Sequence, residues 1–559
     1  MSLSRFLLVF LFAAGLSLAQ LTSDQKIADF QYLASLYAKH YGPYEWKRDV
    51  IRFDLLEIQP WVARVSATKT DLEFFDVMSE YVASLNDAHD VYLLPSNFVA
   101  RLNFSVDVYE GKLLVDFINR SRLPAAEFPF LPGYELVSID GVDAQRIVDR
   151  YLRYSVAANE KSTRRLTAEL VTTRPQQLIP SAPEVPEIST VVFRRPDGTL
   201  QSHRIPWSRS GVPLTTIGRY PGAKSDAIEE VEEDEPEYLK VLRRLHNCRL
   251  PDRSVLNFGS RPPVFVNAMG PGFTRRLGTA EDVFYSGVFE VGGYKIGYIR
   301  IPNFAPAAPA AARTQFAQEI AFFQTNTDGL VVDVMRNPGG TVSYTNQLLA
   351  LLIPYKWNSI GFELRATSSW VSQISSALES AKAQLAPDHI IALLGELKKY
   401  IVTANSEFRG RTGPIPLDEV TIDRNPAVDA SGEVIAYRKP LMLLVDEMSA
   451  SGADAFAATI QDNKRGPLFG WRTMGAGGNV TNWRAGSYSE GTTSLTESLM
   501  SRSQDVLTRD FPLTRYVENV GVRPDIESDY MTRENLERSG GAFVDAFIFA
   551  VSNHIAGNK

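Results

Sequence analysis

A series of alternating strand and helix patterns between residues 294 and 462 constrains the fold of this chain more than any other feature. The apolar segments YKIGYIRIPNF, GLVVDVM and PLMLLVD have the composition of buried strands, and helical patterns separate them at about residues 311–324 and 343–353. Strands that alternate with crossover helices form a mainly parallel sheet. We therefore expect an α/β domain here, interrupted by a helical insertion at about residues 367–402.

The whole chain is too long for a single compact core. At 559 residues it is expected to fold into about three to four domains. The sequence predicts a multidomain α/β protein with the following division: a signal peptide at 1–19, a helical N-terminal domain at 20–100, a β-rich module at 101–211, an insertion or linker at 212–290, an α/β core at 291–540 and a tail helix at 541–559.

The first 19 residues have the features of an export signal. Arg5 precedes the apolar run FLLVFLFAAGLSLA, and the small residues Ser17 and Ala19 stand before a cleavage position near Gln20. The run is shorter than the ~20 apolar residues that a membrane span needs. We therefore expect an exported protein with no stable membrane span after signal removal, and the sequence leaves open whether it stays in the periplasm or is fully secreted.

Composition and charge exclude several classes of function. The formal net charge is −7 and no basic stripe is present, so nucleic acid is not an expected partner. The single cysteine, Cys248, excludes an intrachain disulfide. No group of residues has the spacing of a metal site or a phosphate-binding loop, so we expect no metal and no cofactor. Oligomeric state, including a homo-oligomer, is left open.

The insertion at 212–290 lacks a clear periodicity. It contains an acidic run at 229–237. Such a run without ligand-spaced residues is typical of a solvated loop or helix face. A segment that lies over the active site is the alternative, and the sequence leaves open whether this insertion is inhibitory or removed by processing.

A short stretch within the β-rich module points to a known domain type. The segment LPGYELVSIDGVDAQRIVDRYL places a turn, a short strand, an Asp-Gly turn and a helix in succession. Residues 132–141 of this segment resemble the matching part of a PDZ domain. That resemblance implies a module that binds an extended peptide at a sheet edge.

The segment LMLLVDEMSASGADAFAATIQD combines a buried strand, a turn of small residues and a helix. A serine at this turn would lie at the carboxyl edge of the sheet, beside the positive end of the helix. Ser451 is followed by Gly452, which allows close approach of a ligand to the backbone. Ser449 is expected to be structural. Helix capping by Ser451 is the alternative, since serine is common at that position.

Several segments together resemble the C-terminal processing (tail-specific) serine peptidase family. They are RNPGG, VDEMSASGADAFAATIQD, GWRTMGAGGNV and VENVGVRPDI, in the order found in that family. The resemblance implies a ClpP/crotonase-like α/β core and a peptide or protein substrate. It also implies Ser451 as the nucleophile, with oxyanion donors at Gly452 and at Gly339 or Gly340.

The sequence departs from the family at the catalytic base. Many members place a lysine in a G-K-G segment after the serine, but Ala476 stands there, and the only lysines after Ser451 are Lys464 and Lys559. Another branch, which includes the Tricorn core protease and the chlamydial protease-like activity factor, uses a histidine and a glutamate. His89 in SLNDAHDVYLLP and Glu518 in YVENVGVRPDI occupy the matching places. Ser84 and Asp87 are both left open as further partners of His89.

The sequence thus predicts an exported serine endopeptidase that works through an acyl-enzyme on Ser451, with His89 as general base and Glu518 orienting it. The alternative is a non-catalytic protein of the same fold that binds an apolar ligand or a peptide. The two hypotheses differ in one distance: an enzyme needs His89 within hydrogen-bond reach of Ser451.

Overall fold

The computed structural model describes residues 20–214, 235–250 and 258–558. The predicted signal peptide at 1–19 and most of the acidic run at 229–237 lie outside these ranges.

The N-terminal region is mainly helical. Capping boxes begin two of its helices: Thr22 with Gln25, and Thr70 with Glu73. One turn of π-helix, Lys47–Ile51, follows the second helix. The elements are α1 (Ser23–His40), α2 (Tyr44–Trp46), α3 (Gln59–Ser66), α4 (Asp71–Ala83) and the short strand β1 (Tyr92–Leu93).

The second region is built around an antiparallel sheet with two helices packed together. Its elements are β2 (Val99–Arg101), β3 (Phe104–Tyr109), β4 (Lys112–Ile118), β5 (Glu135–Ile139), β6 (Val142–Asp143), α5 (Ala144–Tyr151), α6 (Glu160–Thr172), β7 (Thr173–Pro175), β8 (Ile188–Arg194), β9 (Leu200–Pro206) and β10 (Ser208–Ser210). The sheet order is β3-β4-β5-β8-β9, with β6 paired to β5. Apolar side chains from both its strands and helices form a separate core.

The described part of the 212–290 segment is more regular than its sequence indicates. It contains α7 (Glu237–His246), β11 (Asn247–Arg249), β12 (Phe273–Leu277) and most of β13 (Tyr285–Val291). β12 and β13 pair antiparallel and join the main sheet of the α/β region. Each pairs with the next strand along the chain, but none of the five residues of β12 is buried, so this strand lacks an apolar pattern that the sequence could reveal.

The α/β region contains the remaining elements. They are β14 (Tyr294–Arg300), α8 (Pro309–Asn326), β15 (Gly329–Asp333), β16 (Gly339–Thr341), α9 (Val342–Ala350), β17 (Trp357–Asn358), β18 (Gly361–Leu364), α10 (Ser368–Ala383), α11 (Asp388–Ser406), β19 (Asp423–Arg424), β20 (Leu441–Val445), α12 (Gly452–Asp462), β21 (Leu468–Gly470), β22 (Val480–Arg484), β23 (Thr492–Thr496), β24 (Ser498–Val506), β25 (Thr514–Tyr516), β26 (Ile526–Glu527), α13 (Arg533–Glu537) and α14 (Gly541–Gly557).

A seven-stranded sheet lies at the centre of this region, in the order β12-β13-β14-β15-β20-β21-β26. From β14 to β26 every neighbouring pair is parallel. All five residues of β15 and of β20 are buried, because helices cover both faces of a parallel sheet. The prediction of a multidomain α/β protein is confirmed, and the predicted helical insertion corresponds to α10 and α11.

Two contacts bring the other regions onto the α/β region. β1 pairs with β23, which fixes the end of the N-terminal helical region against the sheet β1-β23-β22. Arg165 on α6 is 1% exposed and contacts both Asp107 on β3 and Glu447, which follows β20. A cavity of about 550 Å³ remains between the second region and the α/β region.

Candidate active site

Ser451 lies at the turn between β20 and α12, at the carboxyl edge of the main sheet. Its backbone angles are φ 58° and ψ −109°, and the residue is fully buried. A residue with a side chain rarely adopts a positive φ, and such strain costs on the order of 1–3 kcal/mol and is found most often at functional sites. The Ser451 N–H donates to Asp454 Oδ2 at 2.7 Å, which holds the turn in this conformation.

Asp454 connects this turn to the segment that follows β21. Its two oxygens also accept from the Thr473 hydroxyl and from the N–H groups of Gly475 and Ala476, the latter two at 3.0 Å. Burial raises the pKa of Asp454 to about 6, although these hydrogen bonds oppose the rise. Ala476, which stands where the family lysine is expected, thus contributes a backbone N–H that supports the serine turn.

His89 reaches Ser451 from the loop between α4 and β1. Its Nε2 lies 2.8 Å from Ser451 Oγ. The His89 N–H donates to Asp87 Oδ1 at 3.0 Å, and the Ser494 hydroxyl donates to the His89 carbonyl. The loop is therefore held on both sides, and the structure brings together the predicted nucleophile and the predicted base.

Asp87 is the further partner of His89 that the structure favours. Its Oδ1 lies 4.0 Å from His89 Nδ1, and its Oδ2 accepts from the Tyr41 hydroxyl at 2.9 Å. Ser84, the other residue left open by the sequence, instead donates to the carbonyl of Glu80 at 2.8 Å within the last turn of α4.

Glu518 lies in the same buried cluster, bound to a residue that sequence reasoning missed. One of its oxygens accepts from the Gly477 N–H at 2.8 Å, and the other forms an ion pair with Lys47. Burial raises the pKa of Glu518 to about 8, Asp87 adds to the rise, and Lys47 opposes it. No motif marks Lys47, because it follows Trp46 in an irregular helical turn and its partners are distant in sequence.

The Asn-Pro-Gly-Gly turn packs directly against Ser451. A Cβ atom added to Gly339 would lie 2.7 Å from Gly452 N and 2.8 Å from Ser451 Cβ, and Gly339 also has a φ of 92°. Only glycine fits this close approach. The Gly339 N–H donates to Asn337 Oδ1 at 2.8 Å, so it is already used within the turn.

The short strand β11 covers β16 beside Ser451. Cys248 lies opposite Gly340 in an antiparallel pair. The Leu250 N–H donates to the Pro338 carbonyl, two positions further along the same ladder. Hydrogen-bonded pairs alternate along an antiparallel ladder, so Cys248 and Gly340 also form a hydrogen-bonded pair. An extended segment of the chain itself therefore occupies the edge that follows the Asn-Pro-Gly-Gly turn.

The other histidines do not form a second site with these residues. His40 packs against Trp483 with ring centroids 4.6 Å apart, and His246 contacts the carbonyl of Leu417 at 2.7 Å.

Among the described residues, no group of three or more His, Cys, Asp or Glu side chains could hold a metal ion. Nor does any helix in the described ranges have the length and apolar character needed to cross a bilayer.

Comparison with family models identifies two regions. Residues 295–528 match the model of peptidase family S41, and residues 99–217 match a PDZ domain. Similar proteins occur in Chlamydia. A Chlamydia trachomatis (serovar D) protein is 24% identical over 94% of this chain and 92% of its own length. A Chlamydia muridarum protein is 24% identical, with 92% of this chain and 90% of the relative covered.

Solved structures share the whole architecture. The crystal structure of mature CPAF has a TM-score of 0.74 at 22% identity and covers 96% of this chain and 98% of its own. The structure of mature CPAF in complex with lactacystin gives a TM-score of 0.73 at the same identity, covering 96% and 99%. The fold is thus common to both proteins along nearly their full lengths.

Proposed function

We propose that the protein is a serine endopeptidase whose nucleophile is Ser451 and whose general base is His89. The proposal starts from the match of residues 295–528 to the model of peptidase family S41. The observation that carries the proposal is the distance of 2.8 Å between His89 Nε2 and Ser451 Oγ. A non-catalytic binding protein has no need for this contact at a strained, buried serine, so the alternative is disfavoured.

In the first half of the proposed reaction, Ser451 Oγ attacks the carbonyl carbon of the scissile peptide bond. His89 Nε2 accepts the hydroxyl proton, since a neutral imidazole has a lone pair at the nitrogen that faces the serine. The bond between carbon and nitrogen then breaks, the leaving amine takes the proton from His89, and an acyl-enzyme remains on Ser451. A water molecule, deprotonated by His89, hydrolyses the ester and restores the serine.

The oxyanion formed during attack needs donors close to Ser451. Gly452 N–H is one proposed donor, because it opens α12 next to the nucleophile and adds the positive end of the helix. For the second donor we favour Gly340 over Gly339, since the Gly339 N–H is used inside its own turn by Asn337, whereas the Gly340 N–H faces β11 and becomes available when a substrate takes the place of β11. A Cβ atom on Gly452 would lie 3.1 Å from Gly340 N, so the two backbone groups are neighbours.

Carboxylates behind His89 complete the proposed machinery. Asp87 fixes the backbone of His89 through its N–H. Glu518, the orienting residue implied by the family resemblance, acts in this proposal through the buried cluster that it forms with Lys47 and Asp87. A carboxylate close to the imidazole stabilises the imidazolium that forms during catalysis.

The substrate is proposed to be a peptide or protein segment in extended form. β11 supports this proposal, because it pairs antiparallel with β16 directly beside Ser451. A substrate strand that pairs with the same edge would bring its carbonyl to the Gly340 N–H. Substrate and β11 require the same edge and therefore exclude each other.

We also propose that the protein is exported. The support is the predicted signal at residues 1–19, which lies outside the described residues. Amino-terminal sequencing of the protein recovered outside the cytoplasm tests this: a mature chain that starts near Gln20 is expected, and a retained Met1 would contradict export by signal cleavage.

Hydrolysis of casein by the full mature chain tests the enzymatic proposal. Wild type should cleave, while Ser451→Ala and His89→Ala should lose at least about 1000-fold in kcat with the circular dichroism spectrum unchanged. His389→Ala is a matched control, because His389 is exposed on α11, and its activity should equal that of wild type. Full activity in His89→Ala would remove histidine from the mechanism.

A further inference from the structure

We propose that Lys47 is a positioning residue for the Ser451–His89 pair. It holds the segment that carries the base and the segment that supports the nucleophile in one fixed arrangement. The inference rests on the proposed function, and it adds a residue from the N-terminal helical region to the machinery of the α/β core.

The side chain of Lys47 uses all of its hydrogen-bonding capacity inside the protein. It is fully buried. Its Nζ donates to the Asn86 carbonyl at 2.9 Å and to Asn519 Oδ1 at 2.7 Å, and it forms the ion pair with Glu518. An ammonium group has three donors, and here each faces a separate acceptor.

One of these acceptors, the Asn86 carbonyl, lies in the segment that carries the proposed base, His89. Asn86 directly precedes Asp87, which accepts from the His89 N–H, and Asn86 has a positive φ of 51°. The Asn519 side-chain amide donates to the same Asn86 carbonyl at 2.8 Å. Lys47 and Asn519 thus both bind the carbonyl at the point where the chain turns from α4 into the His89 loop.

Another acceptor, Glu518, is linked by hydrogen bonds to the turn that carries the proposed nucleophile, Ser451. Glu518 accepts from the Gly477 N–H, and the preceding residue, Ala476, donates to Asp454. Asp454 in turn accepts from the Ser451 N–H. Lys47 is therefore linked by hydrogen bonds both to the segment that holds His89 and to the segment that holds the Ser451 turn.

The contacts of Lys47 are important because several ionisable groups are buried around it. The ionisable groups of this buried cluster are Asp87 and Asp90 on the His89 loop, Tyr41 and Lys47 from the N-terminal helices, and Glu518 from the segment after β25. Among these, Lys47 is the basic side chain, and its Nζ forms the ion pair with Glu518. Removal of a buried partner leaves an uncompensated charge, which the surrounding segments relieve by protonation or by displacement.

The geometry assigns positioning, and not proton transfer, to Lys47. A charged ammonium has no lone pair and cannot accept the serine proton. Its three donors are directed to Glu518, Asn86 and Asn519, while the hydrogen bond of Ser451 Oγ goes to His89. This lysine therefore does not replace the family lysine that is missing at Ala476.

The test compares Lys47→Met, the neutral pair Lys47→Met/Glu518→Gln and the control Lys26→Met in the full mature chain. Lys26 is also buried in the N-terminal helical region, where its Nζ binds the Thr70 carbonyl at 3.0 Å and lies 3.5 Å from Asp71, away from His89. Steady-state casein hydrolysis is measured from pH 5 to 9, and kcat is expressed per serine titrated with a fluorophosphonate.

A positioning role predicts that kcat per titrated serine falls about 100-fold in Lys47→Met, with KM within about threefold of wild type. The acid limb of kcat/KM should move to higher pH, because loss of a nearby cation favours the imidazolium. The double variant should recover folding but not kcat. Lys26→Met loses a buried ion pair as well, but it should keep the wild-type kcat per titrated serine and the wild-type pH profile.

Two results would overturn the proposal. One is an unchanged kcat per titrated serine and an unchanged pH profile in Lys47→Met. The other is unfolding of both Lys47 variants while Lys26→Met stays folded, which would assign Lys47 to stability alone. Failure of the proposed function is separate, since it would show as missing wild-type hydrolysis or as full activity in Ser451→Ala.

Discussion

His89 Nε2 lies 2.8 Å from Ser451 Oγ although 362 positions separate the two residues in the chain. The two residues come from different regions, since His89 follows the last helix of the N-terminal region and Ser451 begins the helix after β20. The contact depends on the pairing of β1 with β23 and on the hydrogen bonds of the His89 loop. The proposed catalysis by this pair therefore requires the N-terminal region to be docked on the α/β core.

Replacement of Asp87 tests how the His89 loop is held. Asp87→Asn weakens the acceptor for the His89 N–H and for the Tyr41 hydroxyl. Because misplacement of a catalytic group by about 1 Å can cost about 100-fold in rate, we expect kcat to fall by between about 10- and 100-fold with little change in KM. Initial-rate kinetics measure this. Ser84→Ala is the control and should stay within about twofold, since Ser84 bonds only within α4.

Replacement of Gly339 tests the close approach of the Asn-Pro-Gly-Gly turn to Ser451. In Gly339→Ala the new methyl group would meet the Cys248 carbonyl at 2.4 Å and Gly452 N at 2.7 Å. The turn must shift, so we expect a loss of at least about 100-fold in kcat/KM. Gly413→Ala is the matched control, because no atom lies within 4 Å of its added Cβ. Equal activity of the two variants would contradict the proposed oxyanion site.

Replacement of Arg165 tests how the PDZ domain is anchored to the serine turn. Arg165 is buried between Asp107 and Glu447, so Arg165→Met leaves Asp107 without this cation and leaves Glu447 with the longer contact to Lys161, at 3.5 Å. We expect the free energy of unfolding to fall by about 3–5 kcal/mol. Arg164→Met removes the neighbouring arginine, whose partner Asp149 is exposed, and should cost less than about 1 kcal/mol. Urea denaturation of both variants distinguishes these outcomes.

Glu169 gives a prediction about pH. Burial raises its pKa from 4.5 to about 8, and the nearby Asp116 adds to the rise. The folded protein therefore binds this proton more tightly than the unfolded chain, and stability falls as pH rises from about 4.5 to 8. Glu169→Gln removes this component, so the variant should gain stability relative to wild type across that range, by a few kcal/mol at about 1.4 kcal/mol per pKa unit. Denaturation curves at pH 5 and pH 8 measure the difference. A constant offset between the two proteins would contradict the shifted pKa.

Much of the fold could be predicted because its signals are local. The apolar runs of β15 and β20, the helical insertion formed by α10 and α11 and the capping box at Thr22 all depend on residues close in sequence. The strands β12 and β11 could not be predicted in this way. β12 consists of five residues, none of them buried, so it has no apolar face, although its partner β13 is the next strand. β11 consists of three residues, and its partner β16 is distant in sequence.

The candidate site also contains some residues that the sequence could predict and others that it could not. Ser451 and Gly339 stand in segments with a clear pattern, and His89 and Glu518 were found through a resemblance to known families. Lys47 has no such pattern, because its three acceptors lie 39 to 472 positions away. Asp87 could not be separated from Ser84 by sequence, since the choice depends on how the chain turns after α4.

Covalent labelling tests the central claim most directly. The full mature chain is treated with a fluorophosphonate, which reacts only with an activated serine, and the modified peptide is identified by mass spectrometry. We predict an adduct on Ser451 in wild type, no adduct at this position in Ser451→Ala, and labelling at least about 100-fold slower in His89→Ala. An adduct on another serine, an unlabelled wild-type chain, or equal labelling rates in wild type and His89→Ala would contradict the serine–histidine mechanism.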